Sequence, residues 1–231
     1  MTATAPARLV AVSPHLDDLV LSCGRLLACR PGATVITVFS GPRPDWQVVS
    51  DWDRICGFAP GIDVSAVRKR EDMAALARLC ASPRWIDAPE REYRQVEPPR
   101  GELIAQLAAE MEGITTETLL IPLGLHHEDH VIAHELALAA AGMAGVVDLV
   151  LYADFYHVTL PELLEPRMAQ LRSSGLRLQE VRLEQGSIGR KRRAIGRYRS
   201  QLAGLPRNVQ RWGARAPERY WRVGPVPPPA R

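Results

Sequence analysis

The sequence predicts an α/β fold in which a mostly parallel sheet is covered by helices on both faces. Two observations carry this. Short apolar runs alternate with segments of helical periodicity through two thirds of the chain, and 231 residues with 46% hydrophobic positions suffice to bury a sizeable core in one domain. Residues 9–12 read as a strand, 18–29 as a helix and 34–39 as a second strand, a β-α-β opening. A loop with Pro, Gly and Trp fills 41–61. After it, 64–79 reads as a helix, 84–86 as a short strand and 101–112 as a helix. Residues 118–123 form the next strand, 129–143 an Ala-rich helix and 148–153 another strand. The stretch 161–205 predicts a helix, a strand at 176–183 and a basic helix, and the Pro-rich end at 224–231 reads as frayed. The expectation is a single domain over 1–231, with its core at 7–154 and a basic C-terminal extension at 185–231.

Charge, cysteine and hydropathy narrow the function classes. The net charge of +3 hides an asymmetry: residues 189–231 hold twelve Arg or Lys against one acid, Glu218. A solvated basic face accounts for this. The cluster Arg190, Lys191, Arg192 and Arg193 has little aromatic interleaving and no accompanying nucleic-acid motif, so no nucleic-acid partner is expected. Docking to a phosphate-bearing substrate or an acidic carrier is the functional alternative. No apolar run reaches the roughly 18 residues of a membrane span, and no signal peptide is visible, so a cytoplasmic protein is expected. Cys23, Cys29, Cys56 and Cys80 never form a Cys-x-x-Cys, which predicts reduced thiols and no zinc ribbon.

In parallel sheets, ligands sit beyond the carboxyl ends of strands, so polar residues directly after a strand carry most information. Two loops qualify. Ser13-Pro14-His15-Leu16-Asp17-Asp18 leaves the first strand, and Gly124-Leu125-His126-His127-Glu128-Asp129-His130 leaves the strand at 118–123. A catalytic zinc-type site needs about three imidazole or carboxylate ligands and one open position. His15 and Asp18, three apart across a turn, can converge on one ion, and His130 can complete the set. Asp17 is the candidate to take a proton from water, whose pKa such an ion lowers to about 7, and return it to a leaving amine. His127, paired with Asp129 as an imidazolium, is the candidate donor to the oxyanion.

These residues resemble the paired signature, His-Pro-Asp-Asp-Glu and His-x-Asp-His, of the PIG-L or LmbE-like N-deacetylases. The resemblance implies a Rossmann-like three-layer sandwich and a zinc-dependent hydrolase that removes acyl groups from N-acetylated amino sugars. It implies metal ligands at His15, Asp18 and His130, a general base at Asp17 and a transition-state histidine at His127. Arg68-Lys69-Arg70-Glu71 matches a third feature, Arg-x-x-Glu, which implies substrate contact by Arg68. Leu16, Leu19 and Leu125 stand where the family often has proline, glutamate and tyrosine, and Leu125 shifts oxyanion stabilisation toward His127.

Each candidate also has an ordinary structural reading. Asp17 and Asp18 can simply cap a helix, and Asp129 can cap the next one. His134 is expected to pack rather than ligate, and Arg68 can be an exposed helix residue paired with Asp72. Trp46, Trp52 and Asp53 lie in the long loop, where aromatics stack on sugar faces or anchor the loop; Trp46 is the substrate-binding candidate. His126 and His157 read as loop residues near the mouth. The expected activity is deacetylation of an N-acetylated amino sugar, free or linked to a carrier or phosphate, with Zn2+ or another divalent metal such as Fe2+. The rivals are hydrolysis of another amide or ester, and a non-catalytic sugar-binding scaffold.

Overall fold

The computed structural model describes residues 9–112, 118–155, 160–207 and 213–224. The alternation read from the sequence is present: β1 (Leu9–Ser13), α1 (Asp18–Ala28), β2 (Thr34–Phe39), α2 (Asp51–Ile55), α3 (Val64–Ala77), β3 (Ser82–Ala88) and α4 (Arg100–Glu110). There follow β4 (Thr118–Pro122), α5 (Glu128–Met143), β5 (Asp148–Tyr152), α6 (Pro161–Ser173), β6 (Arg177–Val181), α7 (Ile188–Ile195), α8 (Arg199–Gly204) and β7 (Tyr220–Gly224). The sheet order is β3-β2-β1-β4-β5-β7-β6. The first five strands are parallel, and β7 runs antiparallel to both β5 and β6. The sequence reading lacked α2 and β7. His157 and most of the Pro-rich end lie outside the described residues.

Strand periodicity assigns the two faces. Val10, Val12 and Ile36 pack against Leu107, Ile132, Leu136 and Met168 of α4, α5 and α6. The alternate residues Leu9, Ala11 and Val35 pack against Leu26, Leu76 and Ile195 of α1, α3 and α7. The basic extension is therefore part of the three-layer sandwich, with Ala194 and Ile195 buried and Arg192 and Arg193 exposed. No cysteine is disulfide-bonded among the described residues, and no described helix is long and apolar enough to cross a membrane.

One detail of α1 bears on the site. The helix breaks at Cys23, whose φ of −128° and ψ of 17° are non-helical. The Arg25 and Leu26 amides, which helix geometry would direct to carbonyls four residues back, donate instead to the Glu218 carboxylate at 2.8 and 3.1 Å. Glu218 also accepts from Lys191 Nζ at 2.7 Å and Tyr220 Oη at 2.8 Å, and both members of the Lys191–Glu218 pair are wholly buried. Gly24 lies against this lysine: a Cβ there would meet Lys191 Cγ at 2.6 Å.

Candidate functional site

The chain leaves β1 toward β2, while β4 flanks β1 on its other side, so a crevice opens at the carboxyl ends of β1 and β4. The loop after β1 is shaped by Ser13, whose hydroxyl donates to the His15 carbonyl at 2.6 Å and accepts from the Leu19 amide at 3.1 Å. The His15 amide in turn donates to Asp18 Oδ2 at 3.0 Å. The loop after β4 turns through left-handed backbone at Gly124 (φ 80°) and His126 (φ 62°). A Cβ at Gly124 would lie 2.9 Å from the Arg167 guanidinium and 3.2 Å from the His130 carbonyl, so both conformation and space call for glycine.

Asp18 Oδ2 lies 3.0 Å from His15 Nδ1 and 3.1 Å from His130 Nε2. The far nitrogen of each ring is held by a buried carboxylate: His15 Nε2 by Asp129 at 3.0 Å, and His130 Nδ1 by Asp154 at 2.7 Å. This is the outer-sphere arrangement that fixes the tautomer of a ligating histidine and turns the near nitrogen toward the shared Asp18 oxygen. The three donor atoms lie within 4.8 Å of one another. Burial opposes protonation of both rings, yet Asp129 and Asp18 beside His15, and Asp18 and Asp154 beside His130, raise both pKa values, that of His130 to about 9. The potential here favours positive charge, and two imidazoles with a carboxylate fit a divalent cation of the zinc type.

Asp17 stands at the N-cap of α1, but its side chain makes no capping hydrogen bond, so the capping alternative does not describe it. Burial and then the neighbouring Asp18 raise its pKa to about 6, while Arg68 and His15 pull it back. His127 occupies the N-cap of α5 in place of Asp129, and its Nδ1 accepts from the Asp129 amide at 3.2 Å. The expected imidazolium–aspartate pair is therefore not formed. Burial, then the charges of His15 and His130, push the His127 pKa down to about 4, so the ring is neutral with its proton on Nε2. The Asp129 carboxylate serves His15 instead, accepting also from the Arg91 amide at 2.9 Å and from the Arg94 guanidinium. Burial works against its charge, but the hydrogen bond to His15 and these donors bring its pKa to about 2.

A cleft of about 370 Å³ opens over His15, Asp17, Asp18, His127 and His130. Arg68 lines it, and its exposed-helix reading fails: only 4% exposed, it donates to Glu90 at 2.5 Å rather than pairing with Asp72. Asp72 is buried elsewhere, accepting from Trp85 Nε1 and Tyr198 Oη at 3.1 and 2.8 Å. Trp46 is not among the lining residues and is 47% exposed; among the described residues Trp52 is the tryptophan that lines the cleft. His134 packs as expected, its Nδ1 donating to the Pro122 carbonyl at 2.8 Å. Asp154, Glu90 and Arg94 are additions that sequence reasoning missed. Asp154 also accepts the Gly124 and Leu125 amides at 2.9 and 3.1 Å, so one carboxylate shapes the second loop and orients its histidine.

The chain is 30% identical over 160 residues to 2'-N-acetylparomamine deacetylase of Streptomyces fradiae, a match over 62% of this chain and 55% of that protein, so it spans little more than half the length of that relative. The zinc-inhibited form of teicoplanin deacetylase Orf2 superposes with a TM-score of 0.73 at 25% identity, over 94% of this chain and 98% of that one. The A40926 pseudoaglycone deacetylase Dbv21 gives 0.73 at 27% identity, over 97% and 100%. The family model described as PIG-L, GlcNAc-PI de-N-acetylase, matches residues 10–141, more than half of the chain and both loops that converge on Asp18, and the chain therefore belongs to the PIG-L family.

Proposed function

We propose that this chain is a metal-dependent N-deacetylase that hydrolyses the acetamide of an N-acetylated amino sugar, with His15, Asp18 and His130 holding Zn2+. The observation that carries the reading is the convergence of these three side chains beside Asp17, which caps nothing, at the base of a cleft of sugar size. The relatives, deacetylases by name, support the N-deacetylase part of this reading.

A bound divalent cation supplies Lewis-acid activation of water and of the acetyl carbonyl. Asp17 takes the proton of the attacking water on its carboxylate and later delivers it to the departing amine. His127, neutral, directs Nε2–H toward the carbonyl oxygen as negative charge develops there, and the buried Leu125 two residues earlier offers no side-chain donor to share that task. Asp129 and Asp154 hold His15 and His130 in the ligating tautomers throughout. Arg68, held by Glu90, faces the substrate from the cleft wall.

The test is acetate release from 2'-N-acetylparomamine and from teicoplanin. We expect turnover of at least one, its loss on chelation and its return with Zn2+ or Fe2+. Bound metal without acetate release from either would point to a different amide, and catalysis indifferent to a chelator would overturn the metal site. Asp154→Asn is expected to weaken metal affinity about 10- to 100-fold, measured by competition with a chromogenic chelator. Wild-type affinity in that variant would show that His130 needs no outer partner.

A further inference from the structure

The cleft has a lining of mixed character. Asp17, Arg68 and Glu90 contribute charge to it, Leu21, Phe155, Leu205 and Pro206 contribute hydrocarbon, and Trp52 and Gln201 also line the space. Trp52 is held on several sides. Its indole Nε1 donates to Gln201 Oε1 at 3.0 Å. Gln201 is only 3% exposed, and its amide donates to Ser200 Oγ at 3.2 Å. Ser200 is fixed in turn, its amide and hydroxyl donating to the two Glu71 oxygens of α3 at 3.0 and 2.7 Å. The end of α8 closes on the ring: a Cβ at Gly204 would lie 2.9 Å from Cη2 and 3.1 Å from Cζ2 of the indole. With its N–H spent on Gln201, Trp52 can offer a ligand only carbon surface, and the ladder from Gln201 to Glu71 keeps that surface in one orientation.

We infer that Trp52, clamped by Gln201 and Gly204 of α8, is a preorganised stacking platform for the pyranose ring that carries the acetamide. This rests on the deacetylase reading above and specifies how its substrate is gripped. A pyranose presents a C–H face and a rim of hydroxyls, which matches a cleft that offers both an aromatic ring and the polar pair Arg68 and Glu90. Gln201 is a positioning residue, acting through the indole. A ring fixed before binding loses little freedom on contact, so loosening it weakens binding even though the ring remains.

Binding of 2'-N-acetylparomamine to the zinc-loaded protein, read by titration calorimetry alongside acetate release, tests the inference. Trp52→Ala is expected to weaken binding about tenfold, with Trp52→Phe recovering most of the loss and Gln201→Leu falling between. Metal affinity by chelator competition and the thermal midpoint verify that each variant is folded and loaded. Undiminished binding by Trp52→Ala, or a Phe variant no better than Ala, would overturn the platform. So would failure of the wild-type protein to bind this sugar. Binding without acetate release would leave the platform standing and count against the deacetylase reading alone.

Discussion

Asp17→Asn is expected to lower turnover by about 10²- to 10⁴-fold while leaving the metal in place. The substitution preserves shape at a position that caps nothing, so little else should change. The role proposed for Asp17 draws on burial and the adjacent Asp18, which bring its pKa to about 6, close enough to neutrality to accept a proton in one step and release it in the next. Steady-state kinetics with metal analysis checks this: full activity in the loaded variant would remove Asp17 from the mechanism, and loss of metal would make it a ligand instead.

Lys191→Met is expected to destabilise the fold by about 3 to 5 kcal/mol, because it strands the Glu218 carboxylate in a site with no access to water. The Arg25 and Leu26 amides and the Tyr220 hydroxyl still reach that carboxylate, but none brings a compensating charge. For a chain of this length the thermal midpoint should fall by on the order of 10 °C. Chemical denaturation compared with Arg192→Met, an exposed neighbour on the same helix, separates the buried pair from a general effect of removing charge. Equal stability of the two variants would show that the pair contributes nothing beyond its volume.

The parallel half of the fold was legible because its strands and helices alternate with clear periodicity, and the loops after β1 and β4 stood out by their histidines. The same rule applies to Glu90 after β3 and Asp154 after β5. It passed them over because β3 reads two residues too short at its C-terminal end and because neither loop carries a histidine directly after its strand. The antiparallel edge was not legible: β7 is only five residues long, and only its neighbours β5 and β6 make it a strand. Arg68 and Asp72 have the spacing of a surface ion pair, but tertiary partners claim both, Glu90 for one and Trp85 with Tyr198 for the other. Asp129 was assigned to its sequence neighbour His127, whereas its carboxylate reaches a histidine 114 positions away. Trp52 rather than Trp46 faces the cleft because α8, remote in sequence, closes over it.

The break in α1 has a bearing on biosynthesis. The amides left open beyond Cys23 are satisfied by a residue 193 positions later than Arg25, so a nascent chain emerging from the ribosome carries an unfinished first helix until Glu218 has been made. The turn bearing Asp17 and Asp18 belongs to that helix. Completion of the candidate site is thus tied to a residue made long after both signature loops, and chains halted before Glu218 should not assemble it.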